Sequence, residues 1–230
     1  KESAPKYKGN QKMRAKRGCR KIYRNYARNR VIIMDDETYV PIDPSQIPSK
    51  EYYHATTRTN VEDKFRYKTK EKFSQKYLVW QAIDEEGHVS EPFISSGLIN
   101  SRTYLNECLK KRLVPFIRKY HKIENILFWP DMATSHYSKE VVEWLTNNSI
   151  EFVPRVDNAP NVPQARPIEL FWAICKKEYS KLKNTPNGRR GFSIQWKKIS
   201  KNVANDSAQK LMKSVRRRLR DISFNGVHSA

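Results

Sequence analysis

Apolar residues recur along the chain in short runs that are typical of β-strands. The run RVIIMDDETYV at 30–40 predicts a strand that acidic residues interrupt. YLVWQAID at 77–84 predicts a second strand, and VSEPFISSG returns after the turn EEGH as its hairpin partner. ILFW at 126–129 and IEFVPR at 150–155 predict two further short strands. The first three strands are therefore expected to form an antiparallel meander.

Helical periodicity separates and follows the later strands. The stretch 101–121 has an apolar stripe and begins at Ser101, a residue suited to the N-cap. A second helix is predicted after Ser138, a third at 166–183, and a last helix pair over roughly 193–222. An antiparallel start followed by alternating helices and strands indicates the α/β class, with a mixed β-sheet flanked by α-helices.

The charges are distributed unevenly. The chain has 45 basic and 24 acidic residues, a net charge of +21. Residues 1–30 contain 12 Lys or Arg and one acid, and residues 176–220 contain 15 and two, whereas residues 31–175 contain 18 and 20. Such basic ends favour a polyanionic partner. We interpret 1–30 as a basic arm or linker, with a helix over 11–26 and a disordered tail as alternatives, and 31–230 as the folded domain.

Several classes of protein and site are excluded by what the sequence lacks. The three cysteines lie far apart, without zinc-finger spacing, and their odd number argues against a disulfide framework. A reducing compartment is expected on this ground. We find neither an apolar run long enough to span a membrane nor a signal peptide. Glycine-rich nucleotide-binding motifs are missing as well.

Three acidic positions fall where predicted elements break, end or begin. Asp36 interrupts the first strand, Asp131 follows Pro130 at the end of the strand 126–129, and Glu169 lies in the first turn of the third helix. Each has a structural explanation: a strand edge, a helix cap, or a favourable helix dipole. Together, however, three carboxylates from these places can meet at one edge of a sheet. Such a group can hold two Mg²⁺ ions for phosphoryl chemistry.

Three motifs resemble the mariner-type branch of the DDE/D transposases. VIIMDDETYV resembles the first-strand motif of that family and aligns its catalytic aspartate with Asp36. FWPDMATSHYS resembles the second motif and aligns with Asp131, and VPQARPIELFW resembles the third and aligns with Glu169. The 37 residues between Asp131 and Glu169 suit an Asp-Asp-Glu subgroup. The resemblance runs from about residue 11 to 229.

The resemblance implies a fold, a cofactor and a reaction. The fold would be ribonuclease-H-like, with 41–76 as an insertion loop, and the three carboxylates would hold two Mg²⁺ or Mn²⁺ ions. The activity would be cut-and-paste transposition: cleavage of double-stranded DNA at terminal inverted repeats and joining of the 3′-OH to TA target DNA. A homodimer, a nuclear location and a DNA-binding region before residue 1 are implied as well. Met132, Arg166 and Leu170 depart from the family pattern.

Further candidates for DNA contacts are basic residues of the two ends and a histidine near Asp131. They are Arg14, Lys16, Arg17, Arg20, His136, Arg216, Arg217 and Arg218. A solvated helix face is the usual alternative for such charge runs. Two other functions stay open: a domesticated or inactive transposase that binds DNA without cutting it, to which Met132 points, and a structural basic protein of a ribonucleoprotein.

Overall fold

A four-stranded mixed sheet forms the centre of the fold. The computed structural model describes residues 7–48, 57, 61–67, 71–72 and 74–229. The strands are β1 (Val31–Pro41), β2 (Lys76–Asp84), β3 (Phe93–Ser95) and β4 (Ile126–Trp129). Their order is β3-β2-β1-β4, in which β1 pairs antiparallel with β2 and parallel with β4. The predicted meander is confirmed, and the parallel strand follows it as the alternation of helices and strands indicated.

The prediction of a strand at 150–155 is wrong. Only one parallel bridge, between Phe152 and Phe128, is present there. The chain turns immediately afterwards, since the carbonyl of Pro154 accepts hydrogen bonds from the backbone N–H groups of Asp157 and Asn158. Proline cannot donate to a ladder, and this turn leaves no room for a longer pairing.

Helices cover both faces of the sheet. They are α1 (Gln11–Lys21), α2 (Asp63–Arg66), α3 (Ser101–Thr103), α4 (Val114–Tyr120), α5 (Lys139–Asn147), α6 (Ile168–Tyr179), α7 (Gly188–Val203), α8 (Gln209–Met212) and α9 (Val215–Asn225). Three π-helical stretches continue these helices. Ile22–Tyr26 extends α1, Tyr104–Leu113 joins α3 to α4, and Ala204–Ala208 joins α7 to α8. The predicted helix at 101–121 is therefore one continuous helix. Its cap is Asn100, whose side chain accepts from the backbone N–H of Thr103, and not Ser101.

Alternate residues of β1 belong to two separate hydrophobic cores. Met34 lies in the first core together with Trp129 of β4. This core is covered by α1, α6, α7 and α9. Ile33 lies in the second core together with Phe128 and Trp80. This core is covered by α5 and the long helix from α3 to α4. Successive residues of a strand point to opposite faces, so the two cores are separated by the sheet itself.

The segment 11–26 forms the helix that was one of the two alternatives for the N-terminal arm. It packs against α9, and Ala15, Cys19 and Ile22 are fully buried. Gly18 faces the backbone of Ala159 so closely that an added Cβ would lie 2.7 Å from its Cα. The helix is thus part of the first core, while the division of the chain at residue 30 stays a prediction.

Gly18→Ala is expected to lower the free energy of unfolding by about 1–2 kcal/mol. The clash with backbone that cannot rotate away outweighs the gain in helix propensity. Urea unfolding monitored by circular dichroism measures the change. Gly97→Ala is the matched control, because a Cβ at Gly97 meets nothing within 4 Å. Equal urea midpoints for the two variants would mean that α1 does not dock tightly on the loop of Ala159.

Some predicted features fall only partly within the described residues. Of the insertion predicted at 41–76, the structure describes 41–48, 57, 61–67, 71–72 and 74–76, with α2 as its helix; the rest lies outside. The three cysteines are described, and all are buried and free. Across the described residues, no helix has both the length and the apolarity for crossing a membrane.

Candidate active site

The parallel pairing of β1 with β4 brings two aspartates side by side. Met34 pairs with Trp129 at the end of the ladder. Two residues beyond this pair come Asp36, still within β1 and on the face of Met34, and Asp131, just past the end of β4. Pro130 ends the strand pairing of β4, because it has no backbone N–H to donate. Asp131 thus leaves the sheet next to Asp36.

The third predicted acid, Glu169, approaches from the first turn of α6, which packs on the same face. The pKa of Asp36 is raised to about 6, mainly by burial. Arg166 and a backbone hydrogen bond from Glu37 oppose this rise, and the charges of Asp131 and Asp35 contribute to it. Partial burial also raises the pKa of Glu169. Arg166 opposes this rise, and the charge of Asp131 adds to it. Asp131 is therefore the electrostatic neighbour of both other acids. The carboxylate oxygens of the three do not all lie within 4.8 Å of one another, so the acids are near one another without forming a closed cluster.

Asp35, the neighbour of Asp36, points into the opposite core and is fully buried. Its Oδ2 accepts hydrogen bonds from Trp80 Nε1 at 2.9 Å and from Tyr104 Oη at 2.6 Å. Its Oδ1 accepts from the backbone N–H of Asp131 at 3.2 Å. Three donors satisfy a carboxylate that would otherwise be costly to bury. Asp35 thereby fixes the backbone of Asp131, a role that the strand pattern did not reveal.

Arg166 joins the two strand ends from the loop before α6. Its Nη2 donates to the carbonyl of Asp35 at 2.5 Å, and its Nη1 donates to the carbonyls of Trp129 at 3.2 Å and Pro130 at 3.5 Å. The guanidinium also lies over the Trp129 ring, and only 8% of the residue is exposed. A rigid fork of donors suits such bridging, which a lysine cannot reproduce. Arg166, one of the three residues that depart from the family pattern, thus links the backbone of both strands at the site.

His136 lies beneath the acids, inside the second core. The ring is stacked on Tyr104 with centroids 3.8 Å apart, and its Nε2 is 3.3 Å from Glu37 Oε1. Burial alone would lower the pKa of His136, but the hydrogen bond to Glu37 and the charges of Asp35, Glu37 and Asp131 raise it. With 1% exposure it is a buried partner of Glu37. Its predicted contact with DNA stays a prediction.

The basic candidates lie on α1 and α9, which pack together. Arg14, Arg17, Arg20 and Arg217 are exposed, and Lys16, Arg216 and Arg218 are partly buried. Arg216 is engaged within the protein, since it forms an ion pair with Glu85 at 2.6 Å and donates to the carbonyl of Ala27. Arg218 likewise donates to the carbonyl of Gln164, and Arg20 to that of Ser223.

A basic cleft opens where the extension of α1 meets α9. Its lining residues are Tyr23, Arg24, Arg28, Asn29, Arg216, Arg217 and Arg220. Three of these arginines, Arg24, Arg28 and Arg220, were not among the sequence candidates. Arg24 lies in the helical extension of α1 and Arg28 in the turn that follows it, so no helical spacing links the two arginines in the sequence.

Several solved structures of the Mos1 transposase have a similar arrangement of elements. The mariner Mos1 paired end complex with Mg matches with a TM-score of 0.76 and 15% identity, over 97% of this chain and 64% of that chain. The Mos1 strand transfer complex matches with a TM-score of 0.72 and 16% identity over the same shares. The catalytic domain of Mos1 mariner transposase matches with a TM-score of 0.60 and 15% identity, over 96% of each chain. The chain has a ribonuclease-H-like fold.

This ribonuclease-H-like fold is the one expected from the sequence motifs. The chain spans about 64% of the length of the transposase chains in the two Mos1 complexes. No protein-family model matches it, and no curated protein does. The likeness is therefore one of fold, and the chemistry has to be argued from the acids of the site.

Proposed function

We propose that this chain is the catalytic part of a DNA transposase of the mariner type. The carrying observation is the register of β1 and β4, which sets Asp36 near Asp131, whose charge in turn acts on Glu169. The proposed reaction is hydrolysis of a phosphodiester at each transposon end, which frees a 3′-OH. That 3′-OH then attacks a phosphodiester of TA target DNA and displaces its 3′-oxygen.

The acids of the site fit Mg²⁺ or Mn²⁺. Carboxylate oxygens are the ligands that these hard cations prefer. Asp36, Asp131 and Glu169 would hold two ions, and burial of Asp36 beside a second carboxylate is a situation that a cation relieves. When bound, such ions activate the attacking oxygen and stabilise the leaving one. Asp35 and Arg166 would keep the supporting backbone in place.

The remaining parts of the proposal concern partners and place. The Mos1 structures include complexes with a transposon end and a strand transfer complex, and we propose double-stranded DNA with terminal inverted repeats as the partner of this chain too. The exposed arginines of α1 and α9 supply charge for its phosphates. A homodimer, a nuclear location and membership of the Asp-Asp-Glu subgroup complete the proposal.

Nicking of supercoiled plasmid DNA is expected to require Mg²⁺ or Mn²⁺. We expect Asp131→Asn and Glu169→Gln each to lower the nicking rate by about 100-fold or more, because ligand loss removes several kcal/mol of transition-state stabilisation. Gel analysis of plasmid forms over time, with and without chelator, measures the rates.

The controls are matched to each acid. Glu140 lies in the first turn of α5 as Glu169 does in α6, and Glu140→Gln is expected to nick normally. Asp206→Asn removes an exposed aspartate in the same way. Nicking that survives in Asp131→Asn would overturn the site, whereas DNA binding without any nicking would favour the inactive, DNA-binding alternative.

A further inference from the structure

A second cluster of metal-ligating side chains lies where β2 ends. Asp84 is the last residue of β2, His88 lies in the turn that follows, and His121 directly follows α4. Asp84 pairs with Ile33 and is four residues beyond Trp80, so it faces the second core. Asp36 of the candidate active site faces the first core. The cluster and the candidate active site are therefore on opposite faces of the sheet.

One carboxylate oxygen of Asp84 accepts backbone hydrogen bonds, and the other faces the two histidine rings. Its side chain is fully buried, and Oδ1 accepts from the backbone N–H groups of Glu86 and His88, both at 2.9 Å. Oδ2 lies 2.9 Å from His88 Nδ1 and 2.7 Å from His121 Nε2. One ligand atom from each residue lies within 4.8 Å of the others. Three donors from three segments thus converge on one point.

The surroundings hold both rings in place and leave one side open. Tyr120 stacks on His88 with centroids 4.0 Å apart and planes at 16°, while 5% of the His121 side chain is exposed. His88 itself is 34% exposed, and Glu86 Oε2 lies 3.8 Å from its Nδ1. A fourth ligand, either water or the Glu86 carboxylate, can therefore reach the cluster from the side of His88.

We propose that Asp84, His88 and His121 bind one Zn²⁺ ion. Two imidazole nitrogens and a carboxylate oxygen form a ligand set that suits Zn²⁺, whereas Mg²⁺ prefers oxygen alone. The ion ties the turn after β2 to the end of α4, two segments that are distant in sequence. The proposal does not depend on the proposed function. Its rival is a metal-free network in which both imidazoles donate to Asp84 Oδ2.

Zinc binding by the full chain tests the proposal. The protein is stripped with a chelator and titrated with Zn²⁺ against a chromogenic chelator, in excess Mg²⁺ that occupies the carboxylate site. We expect one Zn²⁺ per chain, at least 10-fold weaker binding in His88→Ala, and unchanged binding in His228→Ala. His88 is partly exposed in a turn, so its loss leaves the fold intact, and His228 is an exposed histidine away from the cluster.

A second readout needs no variant. Co²⁺ substituted for Zn²⁺ is expected to give the visible absorption of a four-coordinate nitrogen and oxygen site, which titrates with one equivalent. Zn²⁺ is also expected to raise the melting temperature of the wild type and not that of His88→Ala. Absence of the Co²⁺ bands, or equal Zn²⁺ affinity in wild type and His88→Ala, would establish the metal-free network instead.

Discussion

Asp36→Asn is expected to abolish metal-dependent nicking and, at the same time, to stabilise the metal-free protein at pH 8. Burial raises the pKa of Asp36 from its ordinary value of 3.8 to about 6. The folded state therefore binds this proton more tightly than the unfolded chain does. Stability that is present below pH 4 is lost as the pH rises to about 6, which costs about 3 kcal/mol at pH 8.

Asparagine avoids this cost because it carries no charge. Its Oδ1 can still accept the hydrogen bond that Trp172 Nε1 donates to Asp36 Oδ2 at 3.0 Å. In chelator at pH 8 the melting temperature of Asp36→Asn should exceed that of the wild type by about 6–10 °C. The difference should shrink near pH 4.5, and added Mg²⁺ should narrow it by stabilising the wild type.

Thermal unfolding at the two pH values, beside Asp206→Asn, measures the effect. Asp206 is exposed, so its substitution should leave the melting temperature unchanged. A melting temperature of Asp36→Asn at or below that of the wild type at pH 8 would show that Asp36 is not under electrostatic strain. Undiminished nicking by Asp36→Asn would remove it from the active site.

Arg166→Met is expected to lower the free energy of unfolding by about 3 kcal/mol and nicking by more than 10-fold. The substitution keeps much of the volume but deprives the carbonyls of Asp35 and Trp129 of a charged donor in a buried place. The two strand ends then lose the bridge that sets Asp36 against Asp131. Urea unfolding gives the first quantity, and plasmid nicking by folded protein gives the second.

Arg166→Lys separates charge from bridging. It keeps the positive charge near the acids, but an ammonium group cannot reproduce the fork of donors, so a defect close to that of Arg166→Met is expected. Arg189→Met, at an exposed position of α7, is the control and should behave as wild type. Full activity in Arg166→Lys would mean that only the charge matters.

Local patterns predict much of this fold because they reflect local physics. The apolar runs of β1, β2 and β4 and the period of the long helix after β3 reappear as the elements of the structure. The motifs align Asp36 and Asp131 with one site, and parallel pairing explains why they come close, since each acid lies two residues beyond the last paired residues Met34 and Trp129.

Long-range contacts account for what the sequence did not reveal. Asp35 receives its donors from Trp80 and Tyr104, 45 and 69 positions away. Arg166 reaches carbonyls of β1 and of the end of β4 that no periodicity links to it. The prediction of a strand at 150–155 was wrong because a turn begins at Pro154. Such features depend on which distant segments meet, and one sequence carries no local signal of that meeting.

The alternation of Asp35 and Asp36 across β1 also bears on how the strand can change length in evolution. A one-residue shift along the pleat exchanges the faces of all its side chains. After a deletion upstream in β1, Asp36 would take the place of Asp35, and Glu37 would stand where Asp36 was. After an insertion, Met34 would instead face the hydroxyl of Tyr104 and leave that donor unpaired. Three acids in succession thus allow the strand to lose a residue and keep a carboxylate on each face, but not to gain one.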